Sequence, residues 1–243
     1  MERVRQVGAV ALAGFAAVKG TAWRPRASLR LTGAGVEGDR RWCFVDVEAR
    51  QVLRTVSHPG LLELEVRDED AGLPVVHVPT GERAEGGPVP TGETLTCDYW
   101  GRAVPLALHD GAQAALASLV LGRDVVLAQA PPSAIVYAGG VSLVSTASCR
   151  AVGVDPVSVR ASLVLDLGDE PFTEAALVGR EVRLGSGAVV RPTAETTRCA
   201  VLGADALRRL TALRGALLLG VDGDVLAPGE VRPGDPVTVD GGP

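Results

Sequence analysis

Apolar and polar residues alternate at every second position through much of the first hundred residues, and this constrains the chain more than any other feature. Leu29 and Leu31 flank Arg30, and Leu62, Leu64 and Val66 are interleaved with Glu63 and Glu65. A period of two puts one set of side chains on each face of a pleated strand, whereas a helix would scatter them around its axis. Gly33-Ala34-Gly35, Asp70-Ala71-Gly72 and Gly101-Arg102 supply turn chemistry between the alternating runs. The pattern predicts strands over 28–31 and 42–47, a hairpin from 62–66 and 73–78, and a pair over 94–100 and 104–108. Residues 80–88, rich in Gly and Pro, read as a surface loop. This half is expected to be a closed or strongly curled sheet.

The remainder mixes periods. Asp110 is placed to cap a helix running to Leu121, with Gly122 at its end, and Ser145 to cap a short helix over 146–152 that stops at Gly153. Residues 134–144, 163–165, 182–184, 188–191, 216–221 and 236–239 read as strands, and a short helix over 174–178 ends at Gly179. Leu207 and Leu210 mark one face of a helix that stops at Gly215. The class is mainly β with a few short helices (α+β), with a module boundary that separates residues 1–104 from 105–243.

At 243 residues and 47% hydrophobic, the chain is long enough to bury a core. The formal charge of -5 and the lack of any Lys/Arg cluster give no electrostatic footprint for nucleic acid or an anionic membrane. No run reaches the ~18 apolar residues of a membrane span. Glu2-Arg3-Val4-Arg5 followed by residues 7–18 has the outline of a secretory leader. That run is rich in Ala and Gly, with Leu12 and Phe15 its only bulky members, and Lys19-Gly20 follows it; a buried first strand ending at Lys19 fits better. Cys43, Cys97, Cys149 and Cys199 lie about fifty residues apart, without the close spacing of a zinc knuckle, a redox CxxC or an iron–sulfur run. Free thiols suit a reducing compartment, and the expected location is cytoplasmic.

Two places carry chemistry. Arg198-Cys199 sets a thiol beside a fixed positive charge, between a strand-like run and a helix. A guanidinium and a helix start favour thiolate, the reactive and metal-ligating form. As residues alone, the pair reads as a nucleophile, a sulfur carrier, a single soft ligand or simply a buried structural Cys. The second place is Lys19, the sole lysine among 24 cationic residues, with the cationic loop Gly38-Asp39-Arg40-Arg41. A compact ammonium and guanidinium groups suit phosphate oxygens, although Asp39 and Arg40 also read as a plain ion pair.

The order of these pieces resembles a family. Residues 15–20, 35–42 and 57–61 are similar to the N-terminal β-barrel module that precedes a MOSC domain, named for the molybdenum cofactor sulfurase C-terminus. Residues 141–148, 159–166, Glu170-Pro171-Phe172, Arg198-Cys199 and 231–237 resemble the MOSC domain itself. Together they cover essentially the whole chain. The resemblance implies a curled N-terminal β-barrel-like module plus a MOSC β-barrel domain, and a pyranopterin molybdenum cofactor. Cys199 would ligate the metal, Lys19, Arg40, Arg160 and Arg198 would contact cofactor oxygens, and Ser145 and Ser162 would give polar support.

The implied activity is reduction of N-hydroxylated or related N-oxygenated small molecules, as in amidoxime-reducing components. With no iron–sulfur cysteine pattern in the chain, electrons would come from a separate ferredoxin- or flavin-type partner. The sequence departs from the family pattern at Gly20, at Ala161-Ser162 after Arg160, and at Leu202-Gly203 after the Cys. These positions lose hydroxyl and amide groups that orient a cofactor. They favour the alternative of a metal-free MOSC protein acting through Cys199 as sulfur carrier, non-redox enzyme or binding module. A third reading is a β scaffold for a partner protein.

Overall fold

The computed structural model describes residues 4–67 and 72–240, and its chain divides into two compact units. One comprises the chain up to Phe15, Pro25–Glu37 and everything from Tyr137 onward; the other comprises Ala16–Arg24 and Gly38–Val136. The expected break between residues 104 and 105 falls inside an unbroken strand, Arg102–Asp110, whose pairing with Val89–Tyr99 keeps both sides of that point in one unit. Glu2, Arg3, Asp70 and Ala71, invoked for the leader and hairpin readings, lie outside the described residues.

Seven strands close into a barrel in the first unit, in the order Leu163–Asp166, Val141–Ser145, Leu218–Ala227, Ala188–Thr197, Val182–Leu184, Pro236–Asp240 and Val4–Phe15, which pairs back onto the first. Closure removes the exposed edges that alternating strands would otherwise present. Most pairs are antiparallel; Val141–Ser145 and Leu163–Asp166 run parallel, in register at Leu143 and Leu163. A parallel pair requires a crossover, here the two short helices Thr146–Val152 and Pro156–Val159. Val144, Cys149, Val152, Val159, Val164, Leu210 and Leu219 pack into one apolar cluster that holds these helices and Ala204–Arg214 to the sheet.

The second unit is a five-stranded closed barrel of Val89–Tyr99, Arg102–Asp110, Val126–Gln129, Trp42–Asp46 and Gln51–Val52. Its interior contains Cys43, Val45, Cys97, Tyr99, Leu106 and Ile135. A three-stranded sheet of Leu64–Val66, Val75–His77 and Arg83–Ala84 belongs to the same unit. The mainly β class with short helices is therefore the observed one.

Several local readings change. Gly111, not Asp110, precedes helix Ala112–Leu121, because Asp110 is committed as the last ladder residue of its strand. Residues 134–140 are turns, and only Val141–Ser145 is strand: Pro131 and Pro132 cannot donate to a ladder, and Ser133 takes φ 59°. Leu62 lies in the 3₁₀ turn Pro59–Glu63, which Pro59 starts at its fixed φ, so the alternation there covers only Leu64–Val66. The first strand ends at Phe15 instead of Lys19, and the 80–88 loop contains the strand Arg83–Ala84.

Candidate functional site

Arg198 and Cys199 follow directly on the strand Ala188–Thr197. Three bonds immobilise Arg198: its backbone N–H donates to Leu217 O at 2.7 Å, Nε to Leu219 O at 2.8 Å and Nη1 to Val159 O at 3.0 Å. Its Nη2 is buried and finds no hydrogen-bond partner among the described residues. Burial pushes the guanidinium pKa down, while the charge of Asp222, then of Cys149, Cys199 and Glu174, pulls it back up. The expected Arg beside the thiol is therefore present, but two of its nitrogens point inward to carbonyls.

Cys199 itself is extended, at φ -127° and ψ -177°, and the 3₁₀ turn Ala200–Leu202 begins after it. It is exposed, whereas Cys43, Cys97 and Cys149 are buried. Gly203 then precedes helix Ala204–Arg214 without a side-chain cap. Where a hydroxyl residue would give this turn polar groups beside the thiol, Leu202 offers only apolar surface, packed on the cluster below.

Behind Arg198 the barrel contains a buried polar chain that the sequence reading missed. Ser145 Oγ accepts from Ser148 N–H at 3.1 Å as the helix cap, and its hydroxyl lies 2.7 Å from Ser148 Oγ. Ser148 Oγ accepts from Phe172 N–H at 2.7 Å and donates to Glu174 Oε2 at 2.8 Å. Glu174 is 1% exposed and its Oε1 has no hydrogen-bond partner among the described residues. Ser145 is thus committed inside the protein. The available signal was Ser148, three residues past a predicted cap; nothing local marked Glu174, because its burial depends on a contact 26 residues away in sequence.

Ser162 is likewise committed, its Oγ lying 3.3 Å from Ser142 Oγ and accepting from Ser142 N–H across the parallel pair. Arg160 ends the helix Pro156–Val159 in a left-handed conformation, φ 60°. The Arg198 bond to Val159 O brings Arg198 to the peptide just before Arg160. Gly220 makes this approach possible: a Cβ there would stand 2.6 Å from Leu143 O and 3.0 Å from Arg198 Nη2, and its φ is +77°. In this unit Arg198 therefore ties the backbone before Cys199 to the peptide before Arg160, with Ser145 and Ser162 as internal struts.

Lys19 and Arg40 belong to the other unit, where they are neighbours. Lys19 N–H donates to Trp42 O at 2.7 Å, Arg40 N–H to Ala16 O at 2.8 Å, and Val18 bridges Trp42. Lys19 Nζ stands 5.0 Å from the Tyr99 ring centroid, and Arg40, at φ 47°, pairs with the buried Asp39. Gly20 has φ +93°, and a Cβ on it would meet Leu61 Cδ1 at 2.6 Å. A serine after Lys19 would be strained on both counts, which accounts for the glycine.

Chemically, the first unit offers one exposed soft donor beside a fixed cation, and the second offers a cationic loop. Among the described residues no group of three or more His, Cys, Asp or Glu is arranged to hold a metal ion. A metal that arrives already chelated and needs one more sulfur fits this donor set; a metal held by side chains alone does not. Among the described residues no helix is long and apolar enough to cross a membrane.

No protein-family model matches the chain, and no curated protein matches it. Among solved structures it is similar to the YuaD protein from Bacillus subtilis, with 14% identity over 98% of each chain and a TM-score of 0.49. It is also similar to a hypothetical protein of known crystal structure, with 12% identity over 98% of this chain and 69% of that one and a TM-score of 0.42.

Proposed function

We propose that this chain is a molybdenum-cofactor-dependent oxidoreductase of the MOSC kind, acting in the cytoplasm on N-hydroxylated or related N-oxygenated small molecules. The observation that carries the reading is the contrast among thiols: three are buried, while Cys199 is exposed, directly after Arg198, which three bonds hold in place. Cys199 would be the protein ligand to the metal. When bound, the cofactor supplies a two-electron centre.

The chain's residues supply position and charge. Arg198 holds the backbone entering Cys199 and donates to the carbonyl of Val159, the residue before Arg160, which adds a second cation to this unit. Lys19 and Arg40, considered within the other unit by itself, carry the charge that suits phosphate oxygens. Reduction of an N-hydroxyl compound breaks one N–O bond, takes up two electrons and two protons, and releases water. The electrons come from a separate ferredoxin- or flavin-type donor.

The test is molybdenum and pterin content per chain, for protein made in a host that synthesises the cofactor. Near-stoichiometric metal in the wild type and its loss in Cys199→Ser are expected. A folded, cofactor-supplied wild type without molybdenum overturns the reading.

A second reading, a metal-free sulfur carrier, non-redox enzyme or binding module acting through Cys199, is favoured by one set of observations. Ser145 and Ser162 bond internally, and the backbone at Gly20 disfavours a hydroxyl residue. Intact mass showing a persulfide on Cys199, absent from Cys199→Ser, would support the carrier; an unmodified thiol after incubation with a sulfur donor would exclude it.

A further inference from the structure

Cys199 opens an excursion of the chain, which leaves the strand Ala188–Thr197 and returns as its ladder partner Leu218–Ala227. At the neck Thr197 is in register with Leu218, and the Arg198 N–H donates to Leu217 O at 2.7 Å. Beyond it come the 3₁₀ turn Ala200–Leu202 and helix Ala204–Arg214, which Gly215 ends at φ 69°. A side-chain pair crosses the same neck. Arg214, the last residue of the helix, donates from Nη2 to both carboxylate oxygens of Glu195, at 2.9 and 3.1 Å. Glu195 is itself in ladder register with Val221, so the sheet fixes its backbone.

Exposed ion pairs contribute little, because water solvates both charges. This one is partly buried, and its guanidinium has a second contact: it stacks over the Phe172 ring, 4.9 Å from the centroid. Phe172 takes φ 64°, where a bulky side chain is a backbone outlier. Such a conformation persists only where the surroundings over-determine it. Here the Phe172 N–H donates to Ser148 Oγ at 2.7 Å, and Phe172 packs on the same apolar cluster as Leu202, from the turn after Cys199. Ser148, Phe172, Arg214 and Glu195 thus form a chain of contacts from the helix Thr146–Val152 to the strand that leads into Cys199.

We infer that Arg214 and Glu195 are positioning residues for Cys199: their ion pair, backed by the Phe172 ring, closes the neck of the excursion and holds the turn that presents the thiol. The inference rests on the reading of Cys199 as the metal ligand and adds to it two residues that act through the backbone. A metal held by one protein sulfur has no other side chain to fix the direction of that bond, so the backbone carrying the sulfur must be fixed.

The experiment compares wild type, Arg214→Gln, Glu195→Gln and the double variant as full chains. Amide hydrogen exchange is read at Arg198, Leu202 and Gly203, whose N–H groups donate to Leu217 O, Cys199 O and Ala200 O. Each single variant is expected to exchange there about fivefold faster, and the double variant no faster than the singles, because all three lose the same bond. In protein from a cofactor-producing host, molybdenum is expected to dissociate about fivefold faster from each variant than from the wild type. Val182→Ala, a buried change in another strand of the barrel, is the control: it should lower the urea midpoint at least as far while leaving these three amides and metal retention as in the wild type. Wild-type exchange or wild-type metal retention in both single variants, additive losses in the double variant, or equal effects of Val182→Ala overturn the inference. A wild type that never acquires molybdenum overturns the redox reading instead, and the exchange rates then decide whether the pair holds the turn.

Discussion

Ser148 Oγ donates to Glu174 Oε2 across 2.8 Å, joining a helix to a 3₁₀ turn inside the larger unit. A buried carboxylate persists only where hydrogen bonds replace its lost water. Ser148 serves as hub: it also accepts the Phe172 N–H and meets the cap hydroxyl of Ser145. The bond fixes the turn Thr173–Leu177 to the helix that follows Val141–Ser145, and Glu174 is one of the charges felt by Arg198.

Ser148→Ala removes one donor and one acceptor and leaves both Glu174 and the Phe172 amide short of a partner. The expected loss is about 1–3 kcal/mol, read by urea unfolding. Glu174→Gln keeps an oxygen for Ser148 to donate to and should cost less. A Ser148→Ala protein within about 0.5 kcal/mol of wild type would show that the network contributes little to stability.

Gly220→Ala tests the close packing around Arg198. The added Cβ meets Leu143 O at 2.6 Å and Arg198 Nη2 at 3.0 Å at a φ of +77°. A loss of more than about 1 kcal/mol is expected. Gly187 has open space within 4 Å, and Gly187→Ala should be neutral or slightly stabilising. Equal effects at the two positions would argue that Arg198 is not tightly held.

The strands were legible wherever one face is buried. Leu29 and Leu31 are buried with Arg30 exposed between them, as the alternation requires. Helix stops at Gly122, Gly153 and Gly215 were equally readable, since each takes a left-handed φ. The first half was read as a closed or strongly curled sheet, whereas the strand partners that close the seven-stranded barrel were not readable, because the pairing of Val4–Phe15 with Leu163–Asp166 spans most of the chain. At the site, Arg198 and Cys199 announce themselves by chemistry. What the sequence could not tell is direction: Arg198 turns inward because the carbonyls of Leu219 and Val159 are in reach, and Ser162 faces Ser142 because a parallel register puts it there. Glu174 was invisible for the same reason.

Thiol reactivity should separate the four cysteines. Cys199 is exposed and the other three are buried. Brief treatment of native protein with iodoacetamide is expected to give one adduct, mapped to Cys199, and denatured protein four. Labelling of Cys43 or Cys149 in the native state at a comparable rate would contradict their burial, since access as well as thiolate fraction sets the rate.

The buried thiols also set an alkaline limit. Burial pushes Cys149 up to about 12, and the neighbouring charge of Glu174 adds to the effect. Burial likewise raises Cys43 strongly, with a smaller contribution from Cys97. In the unfolded chain such thiols ionise near pH 8.5. Above that pH the unfolded state has released protons the folded state retains, so stability falls as pH rises; below it the two states carry the same protons and the thiols have no effect. Each fully buried thiol should therefore cost about 1.4 kcal/mol per pH unit between roughly pH 9 and 12. Urea midpoints measured with reductant at pH 8, 9 and 10 should show this decline, and Cys149→Ala should lessen its slope by the share of one thiol. A midpoint unchanged between pH 8 and 10, or a slope that Cys149→Ala leaves untouched, would mean that these thiols ionise in the folded protein as they do in water.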